Sequence, residues 1–269
     1  MEPPFDSLIA WKGGLVMAWF AVLFGAERLL PAVASPVGGL KESDGRHRLA
    51  RNLGLWLLNV GLSPLFVLPV SLWAVGQQFD WRPLWWSGWQ GLVIDVVVLD
   101  FLIYWWHMAN HRVGLLWRFH EVHHLDPTLD TTTAVRFHFG EVALSAIARA
   151  VVIIVLQVPF TSVLLFEVLL LMAAVFHHSN LRLPSRLERG LAKVVITPSI
   201  HWVHHHAVQA DTDSNYGTIF SFWDPLFGSR SATARRPDMA IGVEGRAERP
   251  LGRLLIRPFR PAAERAEEV

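Results

Sequence analysis

Histidines at helical spacing give this sequence its most informative chemical pattern. His107 and His111 stand four residues apart, so on a helix both lie on one face. Two further clusters share the pattern HxxHH: they are His120, His123 and His124, and His201, His204 and His205. Neutral imidazole is the commonest metal-binding side chain. Three such motifs predict a metal centre, and because one ion takes about four to six ligands, the number of histidines predicts two ions.

The remaining histidines and the missing cysteines limit what that centre is. The chain has 13 histidines and no cysteine. Disulfides, thiolate zinc sites, iron–sulfur clusters and a cysteine nucleophile are therefore excluded. The isolated His138 and His178 join the candidate ligands, whereas His47, His177 and His206 lack partners at a suitable spacing and are predicted to be structural or solvated.

The composition is that of a membrane protein. Of the 269 residues, 52% are hydrophobic and 17% are charged, and the mean hydropathy is +0.33. Soluble domains carry about 25% charged residues. The net charge of +1 gives no reason to expect nucleic-acid binding.

Long apolar segments predict an all-α fold. A bilayer is crossed by about 20 apolar residues in a helix. Candidate spans are 13–35, 52–79 and 84–106, and the segment 142–176 is long enough for two passes with a turn at Pro159. We predict an integral membrane helical bundle of about four to five transmembrane helices, with a cytoplasmic histidine-rich helical cap.

Loop charges predict the orientation. The loop 38–51 carries four cations, Lys41, Arg46, Arg48 and Arg51, whereas the loop 80–83 has only Arg82. Positively charged loops face the cytoplasm. The candidate histidines then all lie on the cytoplasmic side.

Three acidic residues near these motifs invite separate interpretations. Asp100 precedes His107 by seven residues and is predicted to orient a ligand imidazole, because buried membrane acids are commonly functional. Glu121 lies off the histidine face and is predicted to be solvated or paired with Arg118. Glu167 either pairs with Arg149 or lines a substrate path.

In their order along the chain, the histidine motifs and the segments around them resemble those of the sterol desaturase/fatty acid hydroxylase superfamily. The segments 100–111, 116–124 and 197–205 resemble its three histidine boxes, and 132–141 is similar to its Arg-x-His-Pro-x-Glu stretch, with Phe139 in place of proline. The segments 176–180, 213–217 and 223–228 resemble its remaining signatures. The resemblance covers 95–228, which implies N-terminal transmembrane helices over 1–94, a catalytic domain over 95–228 and a C-terminal tail over 229–269.

The resemblance implies a membrane-bound di-iron monooxygenase that hydroxylates or desaturates a lipid with O₂ and two electrons. The implied ligands are His107, His111, His120, His123, His124, His138, His178, His201, His204 and His205. The implied supporting residues are Asp100, Asn180, Asn215 and Asp224. Electrons would come from a separate ferredoxin, cytochrome or reductase, and zinc could replace the two irons in purified protein.

Other functions stay open at this point. A zinc-dependent membrane hydrolase is an alternative because histidine does not select iron over zinc. A non-enzymatic metal- or lipid-binding protein is another. A zinc transporter is disfavoured because its ligands would lie at the bilayer midplane. Sterol, fatty acyl chain, sphingoid base, ether lipid and carotenoid are all candidate substrates.

Overall fold

The computed structural model describes residues 5–34, 43–77, 79 and 81–261. Lys41 of the predicted basic loop and residues 262–269 of the predicted tail lie outside the described residues. Within this part of the chain the fold is all-α, as predicted, and extended pairing is limited to three isolated bridges.

Twelve α-helices make up the described fold. In chain order they are α1 (Phe5–Leu29), α2 (Ser43–Leu62), α3 (Val67–Val75), α4 (Gly88–Arg112), α5 (Gly114–His124), α6 (Phe139–Leu156), α7 (Phe160–His178), α8 (Ser185–Leu191), α9 (Pro198–His204), α10 (Gln209–Thr212), α11 (Trp223–Phe227) and α12 (Leu251–Ile256). Short 3₁₀ turns at Thr133–Val135 and Arg257–Phe259 complete the described elements.

Three of these helices, α4, α6 and α7, are long and apolar enough to cross a membrane. A fourth crossing results if α2 and α3, which meet at a bend of 45°, form one span. The predicted double pass over 142–176 corresponds to α6 and α7. Helix α6 ends at the left-handed Gln157, and α7 begins directly after Pro159. The predicted span 13–35 falls on α1, which packs against α7. A fifth crossing therefore stays a prediction.

The outer surface of the bundle is apolar, as lipid contact requires. Large hydrophobic side chains are exposed along the spanning helices, among them Leu68, Leu72, Trp73, Val93, Val151 and Val155. The core between α3, α4, α6 and α7 is formed by residues such as Leu99, Ile153 and Phe166. A bundle that is apolar on both its inner and outer faces is stable in a bilayer, where the backbone must satisfy its own hydrogen bonds.

The two ends of the bundle differ in chemistry. At one end the loop before α4 carries a tryptophan cluster, and Arg82 pairs with Asp95 through two oxygens at 2.8 Å. A 620 Å³ cavity at this end is lined by Arg82 and Trp86 and has no histidine in its wall. Interfacial tryptophans are typical of a membrane boundary. The histidines lie at the other end, where α4 and α7 finish and α6 begins.

The described part of the C-terminal segment packs against the histidine helices. Leu254 is fully buried with Leu55 and Val122. Arg257 donates to the carboxylate of Glu121, which is completely buried. The expectation of a solvated Glu121 is therefore wrong, because a segment more than a hundred residues away covers it. The division of the chain at residue 228 stays a prediction.

Candidate metal centre

Nine of the ten predicted ligand histidines converge in two groups. The first group is His107, His111, His120, His124 and His204, and the second is His123, His178, His201 and His205. Within each group, one ring nitrogen from every residue lies within 4.8 Å of the others. The spacing of the sequence motifs thus corresponds to two candidate metal sites.

Each HxxHH motif contributes to both groups. In α5 the outer histidines of the motif, His120 and His124, belong to the first group, and the middle one, His123, belongs to the second. The motif of α9 is divided in the opposite sense, because its middle histidine, His204, joins the first group. The groups are in contact, since the rings of His124 and His205 stack with centroids 4.3 Å apart.

Backbone carbonyls fix the tautomers of several ligands. Four histidines donate Nδ1–H to carbonyl oxygens: His107 to Tyr216 at 2.9 Å, His123 to Arg136 at 3.2 Å, His178 to Ala174 at 2.7 Å, and His204 to Ser214 at 2.7 Å. A carbonyl only accepts hydrogen bonds, so the proton of each neutral ring is on Nδ1. Each Nε2 therefore keeps a free lone pair, which is the form that binds a metal.

The free nitrogens of the second group point at one another. Nε2 of His178 lies 3.0 Å from Nε2 of His123 and 3.0 Å from Nε2 of His201. Nε2 of His205 lies 3.2 Å from that of His201. The Nε2 atoms of His123 and His178 are both unprotonated, and two such nitrogens repel each other unless a cation lies between them. Imidazole binds metals at about 2.0–2.1 Å, so neighbouring ligands of one ion are separated by roughly 3.0–3.4 Å. The group has the spacing that one ion requires.

The first group contains most of the unsatisfied ring nitrogens. Among the described residues, Nε2 of His120, Nε2 of His204 and both ring nitrogens of His111 and His124 are buried without a hydrogen-bond partner. A buried polar atom without a partner costs about 1–3 kcal/mol. A bound ion would satisfy one nitrogen of each of these four rings, so this group also fits a metal.

The electrostatics keep these rings neutral. Burial, followed by the repulsion of neighbouring histidines, lowers the pKa values of five ligands outside the spanning helices well below the usual range: His123, His124, His201, His204 and His205. Metal ligation requires deprotonated imidazole. The site is therefore in its ligating form at neutral pH.

His138 lies outside both groups. Its side chain caps the start of α6, where Nδ1 accepts from the Gly140 amide at 2.9 Å and Nε2 donates to the Leu255 carbonyl at 3.0 Å. A Cβ on Gly140 would lie 2.4 Å from the Phe119 ring, so the turn needs glycine. Both ring nitrogens of His138 are thus engaged by the backbone.

Asp100 holds a loop rather than an imidazole. Its carboxylate accepts from the Ile219 amide at 3.1 Å, the Phe220 amide at 3.1 Å and the Trp223 indole at 2.8 Å. The expectation that Asp100 orients a ligand ring is therefore wrong. Asp100 ties α4 to the segment that carries Tyr216, and the Tyr216 carbonyl accepts the hydrogen bond from Nδ1 of His107.

Asp224 shapes the same segment. It accepts from the amides of Tyr216 at 2.7 Å and Gly217 at 3.0 Å. Burial raises the pKa of its carboxyl, and these hydrogen bonds oppose the rise. A Cβ on Gly217 would lie 2.8 Å from an Asp224 oxygen and 2.9 Å from the Phe220 carbonyl, so only glycine fits. Asp224 thus positions the carbonyl that fixes the His107 tautomer.

The two predicted asparagines brace the backbone. Asn180, two residues after His178, exchanges hydrogen bonds with both backbone groups of Val33 at 3.1 and 2.7 Å. Asn215 adopts the left-handed conformation and joins the Ile200 carbonyl to the Ser231 amide. Asn215 thus contacts the ligand-bearing α9, whereas Asn180 ties the end of α7 to the segment after α1.

Two acidic residues near the site have roles that sequence reasoning did not assign. Glu141 accepts from Nδ1 of His120 at 2.8 Å, and its place three residues after His138 is the signal that could have identified it. Glu27 accepts from Thr131 and from the Asn180 amide, and so connects α1 to both histidine-bearing regions. No local spacing in the sequence links residues so far apart.

The three unassigned histidines differ from one another. His47 is exposed, and His206 pairs with Asp211 at 2.7 Å, in keeping with solvated and structural roles. His177 is buried, and its ring centroid lies 4.0 Å from that of His201. Among the described hydrogen bonds, His177 makes none to a ligand histidine. Its Nδ1 donates to the Thr218 carbonyl.

An apolar cavity of 510 Å³ leads from the bundle to these groups. Its lining includes histidines of both groups: His107, His120, His123, His178 and His201. Its apolar side chains come mainly from α1, α2, α4, α6 and α7 and include Val16, Phe20, Leu53, Trp56, Ile103, Val142, Leu170 and Val175. A cavity of this size and character suits an aliphatic chain.

Known proteins share this arrangement of motifs. Residues 92–229 match the fatty acid hydroxylase family. The chain is 25% identical over 258 residues to ornithine lipid hydroxylase OlsE of Rhizobium tropici, covering 94% of this chain and 77% of that protein. It is 27% identical over 230 residues to the alkylglycerol monooxygenase of Homo sapiens, covering 86% of this chain and 47% of that protein.

A third relative is the very-long-chain aldehyde decarbonylase GL1-5 of Oryza sativa subsp. indica, 27% identical over 213 residues, or 72% of this chain and 33% of that protein. The chain therefore spans about three quarters of the first relative and less than half of the other two. No solved structure matches. The family match covers half of the chain and includes all nine grouped histidines, so the protein belongs to the fatty acid hydroxylase family, within the sterol desaturase/fatty acid hydroxylase superfamily.

Proposed function

We propose that this protein is a membrane-bound non-haem di-iron oxygenase that hydroxylates or desaturates an aliphatic C–H bond of a lipid. Its family and its histidine groups make it a lipid oxygenase and hence an oxidoreductase. One observation carries the finer proposal: an apolar cavity ends at two groups of neutral histidines whose free nitrogens converge.

The choice of iron follows from the donor set and the reaction. An all-nitrogen set accepts iron or zinc. Zinc has no redox chemistry, whereas insertion of oxygen into a C–H bond is a redox reaction. Two irons bound here would activate O₂ with two electrons and so supply the oxidant. We assign one ion to each histidine group, and leave His138 out of the ligand set because both its nitrogens are engaged.

The protein residues hold, orient and shield this centre. The ring of Phe137 stacks on that of His123 with centroids 4.4 Å apart, and Tyr216 lies edge-on to His107. Glu141 holds His120, and the segment fixed by Asp100 and Asp224 holds His107. These contacts keep water away from the ligands and fix their rings before substrate binds, which is the protein's main task in cofactor chemistry.

The substrate would enter as an aliphatic chain from the bilayer. Most apolar residues of the cavity wall belong to α1, α2, α4, α6 and α7, whose exposed apolar faces would contact lipid in a bilayer. A chain lying in the cavity would present one carbon to the inner end, where the histidines lie. Rigid positioning of that carbon would set which bond reacts.

The histidine end would face the cytoplasm, where the separate electron donor acts. The four cations of the segment 38–51 support this orientation. Three of them, Arg46, Arg48 and Arg51, are among the described residues, and Arg48 forms a buried ion pair with Asp126, two residues after His124. These three arginines lie on the first turns of α2, so the start of α2 and the histidines are at the same end of the bundle.

Comparative lipid mass spectrometry tests the function. Cells that express the protein should contain a lipid that has gained one oxygen atom, or lost two hydrogen atoms, relative to cells without it. His123→Ala and His204→Ala should abolish that product while the protein still inserts into the membrane. His206→Ala is the matched control and should retain the product, because His206 lies in neither group. Unchanged product in either ligand variant, or no oxidised lipid from the wild type, would contradict the proposal.

A further inference from the structure

One charged cluster reaches the largely apolar wall of the proposed substrate cavity through a single residue, Arg149. Lys12 of α1 and Arg149 of α6 both pair with Glu167 of α7, and Arg149 itself lines the cavity. The pairing of Glu167 with Arg149 agrees with the sequence expectation. Charged groups inside a membrane bundle are costly and commonly mark a substrate path.

The cluster has one cation more than it has anions. Lys12 donates to one carboxylate oxygen of Glu167, and an Arg149 terminal nitrogen lies 3.3 Å from the other. Two positive groups thus share one negative group, so the cluster carries a formal charge of +1. Its side chains are only 17–23% exposed.

Arg149 has hydrogen-bonding capacity to spare. A guanidinium has five N–H donors in one plane. Among the described residues, the buried Nε of Arg149 has no hydrogen-bond partner. The other ionisable residues in the described cavity wall are Glu141 and histidines of the metal centre and its neighbour His177. Arg149 is therefore the cavity's available cation.

The cluster lies at a defined distance from the metal centre. Arg149 follows Glu141 by eight residues on α6, and Glu141 contacts His120. A helix rises 1.5 Å per residue, so the two side chains are separated along the axis by roughly 12 Å, the length of an extended chain of about ten carbon atoms. The cavity joins the two points without another cation between them.

We propose that Arg149, supported by Lys12, binds an anionic group of the substrate, and that the aliphatic chain runs from this group to the histidines. The proposal deepens the proposed function and rests on it. A carboxylate is the simplest group of this class, since its two oxygens match the guanidinium fork. Glu167 keeps both cations in place and partly neutralises them when the cavity holds no anion.

Binding to two ligands of equal chain length tests this assignment. The iron-loaded protein is placed in phosphatidylcholine nanodiscs, and dodecanoate and dodecanol are titrated by calorimetry. The wild type should bind the carboxylate about tenfold or more tightly than the alcohol, as expected for one charge-assisted hydrogen-bonded pair. Binding is measured without turnover, so it can fail or succeed independently of lipid oxidation.

Three variants separate recognition from structural support. Arg149→Gln should reduce the preference for the carboxylate to near unity and leave the dodecanol affinity unchanged. Arg149→Lys should keep part of the preference, and Glu167→Gln should raise it, because the cations lose their internal partner. Iron content and melting temperature show whether each variant is folded.

Two results would overturn the proposal. The first is equal affinity of the wild type for both ligands. The second is an unchanged preference in folded Arg149→Gln, which would make the cluster only a clamp between α1, α6 and α7. If Arg149→Gln does not fold, a preference that does not rise in Glu167→Gln would overturn it equally.

Discussion

Removal of the Glu141 carboxylate should weaken metal binding by the first histidine group and leave metal binding by the second group unchanged. Glu141 accepts the Nδ1 proton of His120 at 2.8 Å, and His120 belongs to the first group only. In Glu141→Ala that proton loses its acceptor, and the ring is free to rotate or change tautomer. The second group has no contact with Glu141 among its described hydrogen bonds.

The size of the effect follows from the lost hydrogen bond. A hydrogen bond to a charged group contributes about 1.5–3 kcal/mol, and each 1.4 kcal/mol is a factor of ten. The affinity of the first group for iron should therefore fall by about 10–100-fold, which is also the usual effect of losing a partner of a metal-bound histidine. Glu141→Gln keeps an acceptor oxygen and should lose less.

Chelator competition measures this directly. The iron-loaded variant is titrated with a chelator, and the iron retained per chain is counted. Wild type should release its iron in one range of chelator concentration, whereas Glu141→Ala should release about half of it earlier. Glu244→Gln, which changes an exposed carboxylate, is the control. Identical release curves, or earlier loss of both ions together, would refute the role given to Glu141.

Three further predictions concern stability. Gly217→Ala should lower the free energy of unfolding by about 1–3 kcal/mol, because its Cβ would lie 2.7–2.9 Å from three neighbouring atoms; Gly190→Ala, with nothing within 4 Å, should not, and equal denaturation midpoints would contradict the packing argument. Arg257→Ala should lower the free energy of unfolding by about 3–5 kcal/mol, because it removes a partner of the buried Glu121. Arg236→Ala, which breaks an exposed ion pair, should hardly change it, and similar melting temperatures for the two variants would contradict this reasoning. The metal-free protein should lose stability as the pH falls below about 6.5, since the lowered pKa values of His123, His124, His201, His204 and His205 mean that the unfolded chain binds more protons, and a flat melting temperature between about pH 7 and pH 5 would contradict this sign.

The sequence predicted what depends on local spacing. Helical periodicity placed the HxxxH pair on α4 and the two HxxHH motifs on α5 and α9, and Pro159 marked the turn between α6 and α7. These features follow from the 3.6-residue turn and from proline's restricted backbone. The identity of most candidate ligands could be read in this way.

Partners distant in the sequence could not be predicted. His120 and His123 are three residues apart, yet they belong to different groups, because His107 and His111 of α4 lie beside His120 whereas His178 of α7 lies beside His123. Asp100 is on the histidine face of α4, but its carboxylate accepts hydrogen bonds from backbone amides about 120 residues later. Glu121 is buried by Arg257, which no helical periodicity connects to it. Tertiary packing decides such contacts.

Iron stoichiometry is the most direct test of the two-group centre. Purified wild type is reconstituted anaerobically with ferrous iron, freed of loosely bound metal, and analysed for iron per chain alongside His205→Ala and His206→Ala. We predict about two irons per chain in the wild type and in His206→Ala, and about one in His205→Ala, which lacks a ligand of the second group only. A wild type that holds no iron, or a His205→Ala variant that holds as much as His206→Ala, would contradict a centre built from these nine histidines.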